Sequence, residues 1–349
     1  MKRIRKALSI FTILVLALAL MPAGSVFAAA LPVTSLVTVT PNPVAFNSTA
    51  TLSATITADG GLTVTSAFYS LNGAADVAMT GTFGTQIVIV SASFTTAKFG
   101  PNQVCVHGVD SSLAAGDPVC ADFMVSDTVP PVVSNVKVAA VMTGMTGSAT
   151  ITATVNDSTT GGSPIASAAY TLNGGAPIAM TAVDGAFDTV NEAVTATINP
   201  IRAGANTVCV TGTDLPGNPS TPVCSTFTLY AFKGFLPPIR MDVSNKANAP
   251  QAIPIKWWLT DASGKSISKA TVLSTIKILS YQVDCTTLTG NPATATAIGS
   301  PGKSGLKYLG NGRWQINWKT DKSFRKTCRK MFIQFNSVQS SPEVTFIFK

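Results

Sequence analysis

Histidine is almost missing from this chain: His107 is the only one in 349 residues, and charged residues of every kind make up 11%. That scarcity closes most routes to chemistry. No Cys-x-x-Cys or His-rich spacing offers a metal site, and no Gly-x-Ser-x-Gly elbow or phosphate-binding loop is present. A glycosidase would need a pair of carboxylates, but the acids gather in turn-rich segments. We therefore expect a non-enzyme with no catalytic residue, no cofactor and no metal, an unrecognised polysaccharide hydrolase being the remote alternative. Beyond residue 28 no run is long and apolar enough to span a membrane. No segment has helical periodicity, and no aromatic-interleaved basic groove or reader motif points to nucleic acid.

The first 28 residues read as an export signal. Lys2, Arg3, Arg5 and Lys6 precede an uncharged apolar run from Ala7 to Met21, and small residues follow Pro22. Cleavage is expected after Ala28, Ala29 or Ala30. No cysteine follows the signal to take a lipid, so the expected location is extracellular, secreted or bound at the cell surface. Without the signal, charge divides unevenly. Residues 29–229 hold three basic and eleven acidic side chains, a net of −8; residues 230–349 hold seventeen and five, a net of +12. A split of this kind bears on partners rather than on fold.

What the chain has in quantity is repetition. Ser66-Ala-Phe-Tyr-Ser-Leu-Asn-Gly73 returns as Ser167-Ala-Ala-Tyr-Thr-Leu-Asn-Gly174. Gly100-Pro-Asn-Gln-Val-Cys-Val-His-Gly-Val-Asp110 returns as Gly204-Ala-Asn-Thr-Val-Cys-Val-Thr-Gly-Thr-Asp214. Self-similarity of this sort marks tandem copies of one module. Period-two alternation predicts strands at Ala50–Thr57, Val64–Leu71, Gln86–Phe94, Val104–Val109 and Val119–Val125, with equivalents in the second copy such as Ala149–Val155. Six or seven short strands in about 95–100 residues predict an immunoglobulin-like β-sandwich. The division expected is 1–28 signal, 29–127 first copy, 128–229 second copy, and 230–349 a basic β module. Asp127-Thr-Val-Pro-Pro131 reads as an extended connector between the copies.

Six cysteines in an exported chain imply disulfides, and the repeat limits their pairing. Cys105 and Cys120 stand 15 apart, as do Cys209 and Cys224. If each copy closes its own pair, Cys285 is left with Cys328. A loop of that length is worth about 3 kcal/mol by the chain-entropy estimate. Asp157, Asp184, Asp188, Glu192 and Asp214 raise the question of calcium in the second copy. Their spacing is not that of an EF-hand, and acidic turn residues are the reading kept.

Asp157–Tyr170, Met180–Asp188 and Gly212–Asn218 resemble segments of prokaryotic Ig-like domains, which implies stalk-like modules of secreted and surface proteins. The final 120 or so residues differ. Pro254-Ile-Lys-Trp257, Asn317-Trp-Lys-Thr-Asp321 and the two cysteines are similar to the PxKF domain, a terminal module of exported bacterial proteins whose role is undefined. Alternation puts Ile253, Ile255, Trp257 and Leu259 on one face, with Trp314, Ile316 and Trp318 sharing another. These read as core. Lys256 and Trp258 are left on the polar side, where a tryptophan can stack on a sugar or on a neighbouring module. Six basic residues fall within twelve: Lys319, Lys322, Arg325, Lys326, Arg329 and Lys330. Together with Lys256 and Trp258 they are the candidate contacts for an anionic polysaccharide or envelope polymer. The function expected is adhesion by a non-enzymatic surface or matrix protein. The alternatives are self-assembly, in which acidic repeats dock the basic module, or a dedicated protein partner.

Overall fold

The computed structural model describes residues 30–96, 98–268, 275–299 and 305–349. The export signal lies outside them. Among the described residues there is no α-helix, and the only helical turns are the short 3₁₀ segments Pro292–Thr294 and Lys322–Phe324. The chain is all-β, built of tandem immunoglobulin-like sandwiches and a terminal β-sandwich module.

Alternation decides which face each strand buries. In Thr49–Thr57, Ala50, Leu52, Ala54 and Ile56 are buried while the hydroxyl residues between them remain accessible. Leu52 and Ile56, fully buried, contribute about 1.5–3 kcal/mol each. Sheet order in the first copy is Val33–Thr40, Thr49–Thr57, Ile87–Thr95, Thr80–Gly81 in one layer. The other layer runs Val44–Ala45, Val119–Ser126, Gly100–Asp110, Val64–Leu71, Val77–Ala78. The second copy repeats this plan with Val132–Thr143, Thr146–Asn156, Asn191–Arg202 and Thr181–Ala182 opposite Val223–Leu229, Gly204–Asp214, Ile165–Leu172 and Ile178–Ala179. One glycine in each copy shows how closely the layers approach. A Cβ at Gly108 would overlap Ile56, and a Cβ at Gly212 would overlap Val155.

All three disulfides form as the repeat predicts: Cys105–Cys120, Cys209–Cys224 and Cys285–Cys328. Cys209 and Cys224 are direct register partners on adjacent strands, so the bond staples the last hairpin of the copy.

By internal contacts the chain forms two compact units. The first is Met1–Val39 (described from Ala30), Thr51–Ser93 and Gln103–Ala121; the second is Thr40–Ala50, Phe94–Asn102 and Asp122–Lys349. Within the second unit the terminal module has two layers, one a sheet of its own and the other part of a larger sheet. One runs Ala231–Leu236, Ala252–Thr260, Arg313–Lys319, Lys307–Gly310. Its buried face carries Trp257 stacked on Trp314 at 6.4 Å between ring centroids, as the alternation requires. Trp318 packs edge-on against Phe346 and Phe348 of the facing layer.

That facing layer does not end at the module. Strand Gln339–Ser340 pairs in parallel with Ala140 and Val141 of the second copy, so one sheet runs through both. A single hydrophobic core extends from Val133 and Ile151 to Trp318 and Phe348. The junction is also tied by Gln339, which is buried. Its Oε1 accepts from the Tyr230 amide at 2.7 Å, and its Nε2 donates to the Tyr230 carbonyl at 2.8 Å. Stranding these two backbone groups costs about 1–3 kcal/mol, so Gln339→Ala is expected to lower unfolding free energy by that amount. Denaturant unfolding of the full chain checks this, and a change below about 0.5 kcal/mol would show that water replaces the amide freely.

Candidate functional site

The basic segment spans the end of strand Arg313–Lys319, the 3₁₀ turn Lys322–Phe324 and the start of strand Cys328–Gln334. Asp321 caps the turn, accepting from the Ser323 amide at 2.8 Å. The Ser323 backbone and hydroxyl contacts hold the Asp321 carboxyl below its ordinary value. Phe324 packs against Trp318 and Phe348, and Cys328 is bonded to Cys285, so the turn is fixed at both ends.

The six basic residues do not act as one set. Lys319, Lys322 and Lys326 are exposed and take no carboxylate partner among the described residues. Arg325 is exposed, and its Nε donates to the Ala249 carbonyl at 2.6 Å. Lys330 forms an ion pair with Glu343 at 3.0 Å. Arg329 is half-buried, with its guanidinium 4.2 Å over the Phe324 ring. Of the six candidate contacts, Lys319, Lys322 and Lys326 are the ones whose side chains are exposed without a carboxylate partner among the described residues. The other three are engaged by a carbonyl, a carboxylate and a ring that have no sequence spacing to betray them, and of these Arg329 and Lys330 are half-buried while Arg325 stays exposed.

Lys256 and Trp258 lie elsewhere. Both sit on the outer face of Ala252–Thr260, where Trp258 is 37% exposed and Lys256 half-buried. The Lys233 ammonium stands 4.6 Å over the Trp258 ring, a cation–π contact that covers part of the ring. Gly312 leaves room for the indole edge, since a Cβ there would press on it at 3.0 Å. Lys319 is the register partner of Ala252, six residues along the strand from Trp258. That places the two patches about 20 Å apart.

Acidic residues of the second copy converge on a place that the sequence reading did not locate. One carboxylate oxygen from each of Asp127, Asp157 and Asp214 lies within 4.8 Å of the others, and all three residues are buried. Asp157 and Asp214 were among the acids singled out, whereas Asp127 had been assigned to the connector. Asp184 instead sits in an exposed turn, and Glu192 accepts from the Asp188 and Thr189 amides. Turn Asp157–Gly162 wraps closely over Asp127, because a Cβ at Gly161 would overlap its carboxylate. The Ser163 hydroxyl lies 2.6 Å from Asp127 Oδ2 and 3.1 Å from Asp157 Oδ2. Asp214 is held by the Gly217 and Asn218 amides and by Asn218 Nδ2. In the first copy the same backbone position as Asp157 is filled by Ala58, leaving Asp110 alone. Carboxylate oxygens are what a hard cation takes, yet protein donors already satisfy all three groups here.

Three buried carboxylates this close cannot all be ionised without cost. Burial first, then the charges of Asp157 and Asp214, push the Asp127 carboxyl above its ordinary value against hydrogen bonds from Ser163 and Val129.

No family model matches this chain, and no curated protein matches it. Solved structures do share likeness. An I-band fragment from titin covers 92% of this chain and 99% of its own, at 9% identity and a TM-score of 0.30. The chicken CNTN1 FN1-FN3 domains cover 90% and 99%, at 9% identity and a TM-score of 0.34. Fibronectin(III)-like modules of Clostridium thermocellum CbhA cover 56% and 94%, at 18% identity and a TM-score of 0.23. At such values the fold assignment rests on the chain's own sheets, and nothing about ligand follows.

The Asp127 environment has a measurable consequence. The folded state holds the Asp127 proton more tightly than the unfolded chain does, so stability is lost as pH rises from the unfolded value through the folded one. Asp127→Asn keeps the shape and lets its amide donate to Ser163, which then donates to Asp157. Its melting temperature is expected to exceed that of the wild type at pH 7 and to converge with it below pH 3.8, the ordinary value. Thermal melts at several pH values check this; a variant less stable at every pH would show the carboxylate to be required in ionised form.

Proposed function

We propose that this chain is a secreted, non-enzymatic protein of a cell surface or matrix. In this reading its Ig-like repeats present a basic terminal module that adheres to an anionic polymer. The observation that carries it is the trio Lys319, Lys322 and Lys326, exposed and unpaired on a turn held by packing and a disulfide. They belong to a region with a net charge of +12, attached to repeats with a net of −8. Three disulfides and no free cysteine favour an oxidising compartment, in keeping with the export signal. Resemblance of the last 120 or so residues to the PxKF domain is in keeping with an exported protein and names neither role nor ligand. Exposed lysines attract through water, so the adhesion is salt-sensitive and spread over several contacts. Trp258 offers a partly open ring for sugar stacking, reduced by the ammonium of Lys233.

The test is retention of residues 29–349 on polygalacturonate beads, with neutral dextran beads as the control. Retention at low ionic strength and release at high salt are expected. Combined Lys319→Gln, Lys322→Gln and Lys326→Gln should weaken it about tenfold, three contacts at roughly 0.5 kcal/mol each. No retention at low ionic strength would end this reading. Concentration-dependent oligomers in sedimentation, in place of retention, would put self-assembly ahead.

A further inference from the structure

Arg329 differs in kind from the other basic residues of its turn. A guanidinium has five N–H donors. Here Nη2 reaches the Ser280 carbonyl at 3.3 Å and its hydroxyl at 3.4 Å. Nε is buried and has no acceptor. The plane is fixed 4.2 Å over Phe324, and that ring is itself locked against Trp318 and Phe348.

No carboxylate among the described residues lies within ion-pair distance of Arg329. Glu343, beside the neighbouring strand, is already engaged: Lys330 holds one oxygen at 3.0 Å and the Tyr281 hydroxyl holds the other at 2.6 Å. A partly desolvated cation without a counter-charge is costly, and burial draws the Arg329 guanidinium below its ordinary value. Arginine does not escape by losing its proton, so the position stays positive. Lys322 and Lys326 bracket Phe324 along the chain and add positive field at the same turn.

We propose that Arg329 is the seat of a single oxyanion group, a carboxylate or a phosphate. Phe324 and Ser280 would orient the planar guanidinium, and the exposed lysines would draw the anion in. The seat rests on the anionic-polymer reading and names the group of that polymer which is recognised. It also separates two kinds of contact: one oriented and stoichiometric, the others diffuse. A planar donor fork matches either oxyanion, which a lysine in its place would not reproduce.

The experiment titrates residues 29–349 with sodium phosphate, sodium acetate or sodium chloride at constant total ionic strength, following the Arg329 Nε–H signal by NMR. Saturable displacement of that signal by phosphate or acetate, but not chloride, is expected, and the more effective anion identifies the class. The Arg329→Lys variant lacks that signal and is read by calorimetry at the same ionic strength, where phosphate or acetate should bind at least about tenfold more weakly than to the wild type while most of the salt-sensitive retention on beads remains. Phe324→Leu, which removes the stacking ring and keeps the charge, serves if Arg329→Lys does not fold. An Arg329 signal that moves no more with phosphate or acetate than with chloride would overturn the seat, and bead retention through the lysines would stand alone. Saturation by phosphate in a protein not retained on any polyanion would instead support the seat and remove the adhesion reading.

Discussion

The parallel pairing of Gln339–Ser340 with Ala140 and Val141 is the contact on which the second unit depends. A sheet edge presents unpaired backbone donors and acceptors, and either water or another strand must satisfy them. Here the second copy and the terminal module satisfy each other. The result is one core with Val133 at one end and Phe348 at the other. Because the sheet continues through the junction, the orientation of the terminal module relative to the second copy is fixed by backbone hydrogen bonds. Sequence-distant residues meet there: Tyr230 is tied to Gln339, and Thr228 to Asn336.

Much of the architecture was legible before any coordinates. Hydroxyl and apolar residues alternate with a period that only a strand reproduces, so Ala50–Thr57 and Ala149–Val155 fall inside observed strands. The repeat offset paired the cysteines because two copies in one fold must close equivalent loops. Trp257, Trp314 and Trp318 were assigned to the core by the same alternation, and they are buried. What stayed hidden depends on contacts across long separations. The acidic trio draws on Asp127, placed beside Ser163 by the way the second copy closes on the connector that leads into it. The continuous sheet left no pattern either, because Gln339–Ser340 is only two residues long.

The basic segment shows how folding edits a charge pattern. Read as sequence, Lys319 to Lys330 is one polycationic run. In the fold, a carbonyl takes Arg325, a carboxylate takes Lys330, and an aromatic ring takes Arg329. Three exposed lysines remain around a fixed guanidinium. The segment thus combines charges that water screens easily with one that burial shields from screening, and these two kinds respond differently to ionic strength. The acidic trio is the converse arrangement. Its like charges are packed together and kept tolerable by Ser163, by backbone amides and by the raised proton affinity of Asp127.

The Cys209–Cys224 bond has a mechanical meaning. Strand Val223–Leu229 runs almost directly into Ala231–Leu236, the first strand of the terminal module. A pull on the terminal module would reach the second copy partly through that strand, trying to peel it from Gly204–Asp214. The peeling front would have to pass Leu229, Phe227 and Ser225 before it met a covalent stop opposite Cys209. From there the load passes into the neighbouring strand at the centre of the sandwich. A hairpin stapled this way yields by a few residues and then holds.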